Sequence, residues 1–328
     1  MKLVVLGSNS FSGAHFVDFC LRQGSKVWGL SRSPEPHPVF LPYKQNRELK
    51  NFEFHQLDLN RDHAKIMTLI HDLKPDHVVN FAAQSMVAES WQHPEHWFQT
   101  NCVAQVRLHD GLRKCTFLKS YVHISTPEVY GSCSGNVTEE QIFNPSTPYA
   151  VSRAAADMSL KTFHRQYSFP VVFTRAANVF GPGQQLYRII PRTMLFARLG
   201  KKLQLHGGGH SVRSFIDIED VSDGTFKVME RGGFGKAYHL STTVQISVRE
   251  LVSKICDLMS VRFDDLVEVV DDRPGKDAAY LLDTSRIRRE LKWSDRLSLD
   301  AGLKRTLEWM DQNLESLKSQ PQNYQHRE

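Results

Sequence analysis

No apolar run in this sequence approaches the ~18 residues that a helix needs to cross a bilayer. No unit of roughly 20 to 50 residues repeats, which excludes solenoids and propellers. Charge of one sign is not in large excess: 41 Lys and Arg face 36 Asp and Glu, a net of +5, and the two signs are interleaved, which argues against a nucleic-acid partner. Cysteine is sparse and odd in number, five with no C-x-x-C pair, so a disulfide framework is excluded and a reducing, cytoplasmic compartment is expected. The first strand begins so close to Met1 that no leader segment is expected before it. His93-Pro-Glu-His96 has no third ligand at a recognisable spacing, and no metal is expected.

What is present is a chain of 328 residues, 41% hydrophobic, enough to bury a large core. Residues 3–6 read as a strand, 12–23 as an amphipathic helix and 26–30 as a second strand, a βαβ unit. Between the first two lies Gly7-Ser-Asn-Ser-Phe-Ser-Gly13, a G-x-x-G-x-x-G spacing with Ser10 in its middle place. Gly7 is expected to make the tight turn and Gly13 to let helix and strand approach. Asn9, Ser10 and Phe11 would face a pyrophosphate held on the helix amino end, the Ser10 hydroxyl itself donating. The second strand ends in Ser31-Arg32-Ser33, with no acid for a ribose 2′-hydroxyl. Arg32 suits a 2′-phosphate, so NADP is expected ahead of NAD.

Strand, helix and strand then repeat over 52–57, 61–73 and 77–81. Asp58-Leu59 follows the first of these strands, and Ala82-Ala83-Gln84-Ser85 follows the second, its small residues leaving room for a cofactor. A helix over 95–114, a strand over 121–125, a helix opening at Tyr149 and a strand over 171–175 complete the pattern. The fold expected is α/β: a Rossmann-type doubly wound parallel sheet over 1–177, with a smaller C-terminal α/β substrate-binding domain over 178–314. The chain would return to the first domain near 214–245, and 315–328 would be a flexible polar tail.

The chemistry is expected at the carboxyl end of the strand over 121–125, which delivers Thr126 and Glu128 to the ligand crevice. Tyr149 and Arg153 lie one helical turn apart and share a face. A phenol starts from a pKa near ~10, and working as a base at neutral pH requires lowering it by roughly 3 units, ~4 kcal/mol. A cation about 4.5 Å away at an effective dielectric of ~20 supplies roughly 3.7 kcal/mol. The guanidinium nearly meets the demand and an oxidised nicotinamide adds more positive charge nearby, so a phenolate held by Arg153 beside the bound cofactor is expected.

With these residues in view, the chain resembles the extended short-chain dehydrogenase/reductase family, and within it the nucleotide-sugar 4,6-dehydratases of the dTDP-glucose and GDP-mannose types. The glycine turn, Asp58-Leu59, Ala82-Ala83-Gln84-Ser85, Ser125-Thr126, Glu128-Val-Tyr-Gly131 and Ser146-x-Pro-Tyr149 carry the likeness, with Asn178-x-x-Gly181, Arg213 and Asp272-Arg-Pro-Gly-x-Asp277 downstream. The resemblance implies oxidation at C4 of a nucleotide hexose, loss of water across C5 and C6, and hydride return to C6. It implies Tyr149 and Thr126 at the 4-hydroxyl and Glu128 as the base at C5. Asp58, Leu59, Ala82, Ala83, Gln84, Tyr149 and Arg153 would join the turn residues around the cofactor. Ser85, Thr126, Asn178, Arg213 and Arg273 would bind the nucleotide sugar.

A homodimer through a four-helix contact, using helices near 95–114 and 149–167, is implied as well. Two positions depart from the pattern: Arg153 stands where the family has lysine, and Pro127 where the dTDP-glucose type has an aspartate. A 4-epimerase or decarboxylase of the same family, or a catalytically impaired cofactor-binding protein, are the alternative readings.

Overall fold

The computed structural model describes residues 1–133, 135–271 and 281–327. Its centre is a seven-stranded sheet in which every pairing is parallel. The chain enters through β1 (Lys2–Leu6), α1 (Phe11–Arg22), β2 (Lys26–Ser31), β3 (Phe52–Gln56), α2 (His63–Leu73) and β4 (His77–Asn80). It continues through α3 (Ala104–Leu112), β5 (Ser120–Ile124), α4 (Pro148–Tyr167) and β6 (Val171–Ala176), then α5 (Ile189–Leu199), α6 (Ile218–Arg231) and β7 (Ala237–Leu240).

The strand order is β7-β6-β5-β4-β1-β2-β3. Direction along the sheet thus reverses between β1 and β4, and a crevice opens above their carboxyl ends. Helices cover both faces, so the central strands are apolar throughout: Leu3, Val4, Val5 and Leu6 are all buried, as a parallel sheet requires.

Residues 218–240 return to this sheet, with α6 packed on α1 and β7 paired with β6. A second core gathers Phe180, Ile190, Met194, Leu195, Leu251, Ile255, Leu303 and Met310, built on α5 and on helices Val248–Met259 and Leu299–Gln312. Short strand pairs surround it: Asn178–Phe180 with Phe215–Asp217, and Leu203–His206 with Val267–Val270.

Two local features differ from expectation. The helix expected over 95–114 is interrupted by a π-turn at Gln99–Val103, which buries Asn101 and aims its amide at Gln84 O (3.0 Å) and Ser152 Oγ (2.9 Å). The tail expected to be flexible is docked. Leu314–Lys318 is helical with Leu317 fully buried, Tyr324 meets Tyr187 edge-on, and His326 stacks on Trp97. Two rings in an otherwise polar segment supply the burial that its composition does not suggest.

Candidate active site

The glycine turn sets the first wall of the crevice. Gly7 has φ +78°, and a Cβ there would lie 2.7 Å from Ala82 N; a Cβ on Gly13 would lie 2.2 Å from Gly7 O. Bare backbone at both places lets α1 start directly over the β1–β4 junction. Ser10 caps α1, accepting from Gly13 N (3.1 Å) and donating to Gly7 O (2.7 Å). The expectation that its hydroxyl donates to a phosphate is therefore corrected, because both roles of the oxygen are used within the turn. The amides of Phe11 and Ser12 remain as first-turn N–H groups without an intrahelical acceptor, and they suit an anion.

Asn9 braces the turn on β2: its amide N–H donates to Ser31 Oγ (3.0 Å) and its side chain to Ser33 O (2.9 Å). A cleft of about 450 Å³ follows, lined by Gly7, Asn9, Ser10, Arg32, Ser33, Asp58, Leu59, Ala82, Ala83 and Gln84. The turn, the amide pair and this lining fit a dinucleotide.

A second cleft of about 780 Å³ adjoins it, sharing Ser10, Phe81 and Ala83, and holds Phe11, Ser85, Thr126, Glu128, Tyr149, Arg153, Asn178, Tyr187 and Arg188. The four residues expected to do chemistry thus line one space. Thr126, two residues past β5, caps the turn Pro127–Tyr130 that carries Glu128, and its side chain favours the ionised form of the Tyr149 phenol. Tyr149 enters on the first turn of α4, whose N-cap is Thr147.

Arg153 is buried, and its Nη2 donates to Ile124 O; its Nε has no hydrogen-bond partner among the described residues. The share of the phenolate expectation that falls to the guanidinium is corrected. Burial, then the Glu128 carboxylate, push Tyr149 up to about 12, against the lowering by Arg153, Thr126 and Arg188. The guanidinium is close enough to act, but it is turned toward a backbone carbonyl, and desolvation of a phenol only 8% exposed outweighs it.

Beneath this wall lies a buried network that sequence reading did not find. Asp157, one turn past Arg153 on α4, takes a hydrogen bond from Ser125 Oγ (2.6 Å) and pairs with Arg175 Nη2 (2.8 Å). Arg175 also donates to Tyr130 Oη (2.7 Å), which meets His239 Nε2 at 2.7 Å. Asp157, Arg175 and His239 are fully buried. The network ties β5, α4, β6 and β7 together directly under Thr126.

Sequence reading also missed Arg188 and Tyr187. They reach the cleft because they immediately precede α5, a helix that the sequence pattern places over 188–199 and that starts at Ile189. Of the residues expected to bind substrate, Ser85, Thr126 and Asn178 line the second cleft. Arg213 sits on a short strand paired with Ile246–Ser247, with Nη1 donating to Val212 O (2.8 Å), and it is not among the residues lining either cleft. Arg273 and the segment Asp272-Arg-Pro-Gly-x-Asp277 lie outside the described residues.

Known proteins resemble the chain over most of its length. A dTDP-glucose 4,6-dehydratase of Haemophilus influenzae is 29% identical over 343 residues, covering 94% of this chain and 97% of that one. A trifunctional UDP-glucose 4,6-dehydratase/UDP-4-keto-6-deoxy-D-glucose 3,5-epimerase/UDP-4-keto-L-rhamnose-reductase of Arabidopsis thaliana is 33% identical over 73% of this chain, which spans only 36% of that protein's length. The crystal structure of a dTDP-glucose 4,6-dehydratase from Streptomyces venezuelae, solved with NAD bound, superposes with a TM-score of 0.87 at 30% identity, covering 96% of this chain and 98% of that one. The family model described as GDP-mannose 4,6 dehydratase matches residues 4–306, and the chain belongs to that family.

Proposed function

We propose that this enzyme, a nucleotide-sugar 4,6-dehydratase, turns a nucleotide-linked hexose into its 4-keto-6-deoxy product. The observation that carries the reading is the meeting of Thr126, Glu128, Tyr149 and Arg153 in one cleft beside the dinucleotide-shaped one. A bound nicotinamide dinucleotide supplies the chemistry of taking a hydride from C4 and giving it back at C6.

The chain's residues move the protons. Tyr149, assisted by Thr126, exchanges one with the 4-hydroxyl. At about 12 it is a neutral phenol with the protein's own charges, so it becomes a base near neutrality only when more positive charge enters the cleft. Glu128 removes the C5 proton, which a ketone at C4 acidifies. Pro127 has no proton to give, so the protonated Glu128 hands the same proton to the departing C6 hydroxyl and leaves as carboxylate. Asn178 and Arg188 face the second cleft from the side of the second core, where the sugar phosphates are placed.

NADP is the favoured cofactor. β2 ends in Ser31, Arg32 and Ser33 without an acid, and Arg32 and Ser33 line the first cleft. A homodimer is proposed through the helical stretches near 95–114 and 149–167, where Phe98, Val103, Val106, Val151 and Met158 are exposed apolar residues; light scattering on the purified chain measures it. The cytoplasm is the proposed compartment: among the described residues no cysteine is disulfide-bonded, and no helix is long and apolar enough to cross a membrane.

Incubation with GDP-, dTDP-, UDP- and CDP-hexoses, followed by mass spectrometry, is expected to give a product lighter by one water from at least one of them. An unchanged mass with inverted C4 would make the enzyme an epimerase instead. Glu128→Gln is expected to keep hydride exchange at C4 and stop water loss, and dehydration by that variant would remove Glu128 from the role of base.

A further inference from the structure

In the sequence His93-Pro-Glu-His96 offers no metal ligand beyond itself. The fold draws its three polar side chains together and brings a fourth group to them from the far end of the chain. The segment opens the short helix Pro94–Phe98, with His93 at the N-cap. Glu95 Oε1 lies 3.8 Å from His93 Nδ1 and 3.7 Å from His96 Nε2. One ligand atom from each of the three falls within 4.8 Å of the others.

Around a tetrahedral ion with bonds of ~2.0–2.2 Å, neighbouring ligand atoms stand roughly 3.3–3.6 Å apart. Both contacts to Glu95 are within a few tenths of an ångström of that spacing. The rings of His93 and His96, with centroids 5.2 Å apart, close on an ion when the outer side chains turn. Those are the ones free to do so: His93 and Glu95 are 54% and 67% exposed, while His96 is 22% exposed.

His96 is held from behind by the C-terminal segment. Its Nδ1 is 2.9 Å from His326 Nε2, and His326 lies on the fully buried Trp97 with ring centroids 5.0 Å apart. The other nitrogen of His326, Nδ1, is 3.4 Å from Tyr324 Oη. A histidine that binds a metal through one nitrogen gives the other to a hydrogen-bond partner that fixes its ring and tautomer. The two nitrogens of His96 are divided in this way, Nε2 toward Glu95 and Nδ1 toward His326. With its proton on Nδ1 the ring donates to His326 Nε2 and keeps the Nε2 lone pair for an ion. Two imidazoles and one carboxylate suit an ion of the zinc class, whereas magnesium and calcium take oxygen ligands.

We propose that His93, Glu95 and His96 bind a zinc-class divalent ion, with His326 as the partner that orients His96. Three protein ligands leave a fourth position to water. None of these four residues lines either cleft, so the site is separate from the reaction and does not depend on the dehydratase reading. Binding fixes the tautomer of His96 that donates to His326, and thereby ties down the end of the chain.

Zn²⁺ is titrated calorimetrically into the full chain, freed of any polyhistidine tag, and into His96→Asn, Glu95→Gln, His326→Phe and His326→Gln. The full chain is expected to take up one equivalent with micromolar or tighter affinity. His326→Phe keeps a ring on Trp97 and should bind ~10- to 100-fold more weakly, the usual cost of removing a ligand's hydrogen-bond partner. His326→Gln, whose amide oxygen accepts a hydrogen bond, should recover part of that loss. Glu95→Gln and His96→Asn remove ligands and should lose more than His326→Phe does. Trypsin cleavage after Lys318 is a second readout, which zinc should slow in the full chain and leave unchanged in His326→Phe. Melting without zinc checks that each variant is folded. No uptake by the full chain overturns the proposal. So does equal affinity in His96→Asn, which would put the ion elsewhere, and equal affinity in His326→Phe, which would remove the tail from the site.

Discussion

The two ends of the crevice are held by different physics. At the cofactor end the geometry is local: Gly7, Ser10 and Gly13 lie within one turn and are fixed by backbone sterics and a helix cap. At the catalytic end Thr126, Tyr149 and Arg153 stand on a buried ionic network that joins four separate elements through Asp157, Arg175, Tyr130 and His239. The turn itself has no titrating side chain and depends on the absence of side chains, while α1 behind it carries the buried His15. A buried network depends on charge, and on histidines that stay neutral.

Acid should separate the two most strongly. Burial first of all lowers His239 to about 3, and His15 and His77 to about 4 each. These folded values lie below the unfolded value of ~6.5, so the unfolded chain binds more protons, and stability present near neutrality is lost as pH falls from about 6.5 toward 4. Each of the three contributes up to ~2.7 kcal/mol of loss over two pH units, read by urea denaturation at pH 6.5 and 4.5. His239→Gln should flatten that acid limb. An acid limb that His239→Gln leaves as steep as in the unaltered chain would show that the network does not carry the dependence.

Next in size is Asp157→Ala. It strands Arg175 in the interior and should cost ~3–5 kcal/mol, with loss of turnover but, where protein remains folded, retained dinucleotide binding. Gly7→Ala should do the reverse at ~1–3 kcal/mol: the added methyl meets Ala82 N, and cofactor affinity should fall more than stability. If either variant affected both ends equally, the two would not be independent. The smallest effect is expected from Arg153→Lys, within ~1 kcal/mol of stability, since one cation replaces another beside Tyr149. Its hydride-exchange rate then reports whether the guanidinium shape matters beyond its charge.

Much of the cofactor end could be read in the chain because its determinants lie close together. A strand, seven residues with glycine at each end, and a helix leave few other arrangements, and Arg32 follows at the end of the next strand. Thr126, Glu128, Tyr149 and Arg153 were legible as types, but the state of the phenol was not. A pair spacing gives the distance to a cation; it does not give the burial that outweighs it, nor the Ile124 carbonyl toward which the cation turns. The docked tail was hidden for a similar reason, since Tyr324 and His326 acquire partners only from Tyr187 and Trp97.

By itself the sequence determined the period of strands and helices, the turn over β1 and the set of side chains proposed to move protons, because these depend on neighbours a few positions away. The tertiary structure alone decided which charges are removed from water and which distant segments share a cleft. Asp157 with Arg175, Arg188 in one cleft with Tyr149, and Tyr324 against Tyr187 follow from that. Desolvation and long-range contact are properties of the packed chain, and no local run of residues contains them.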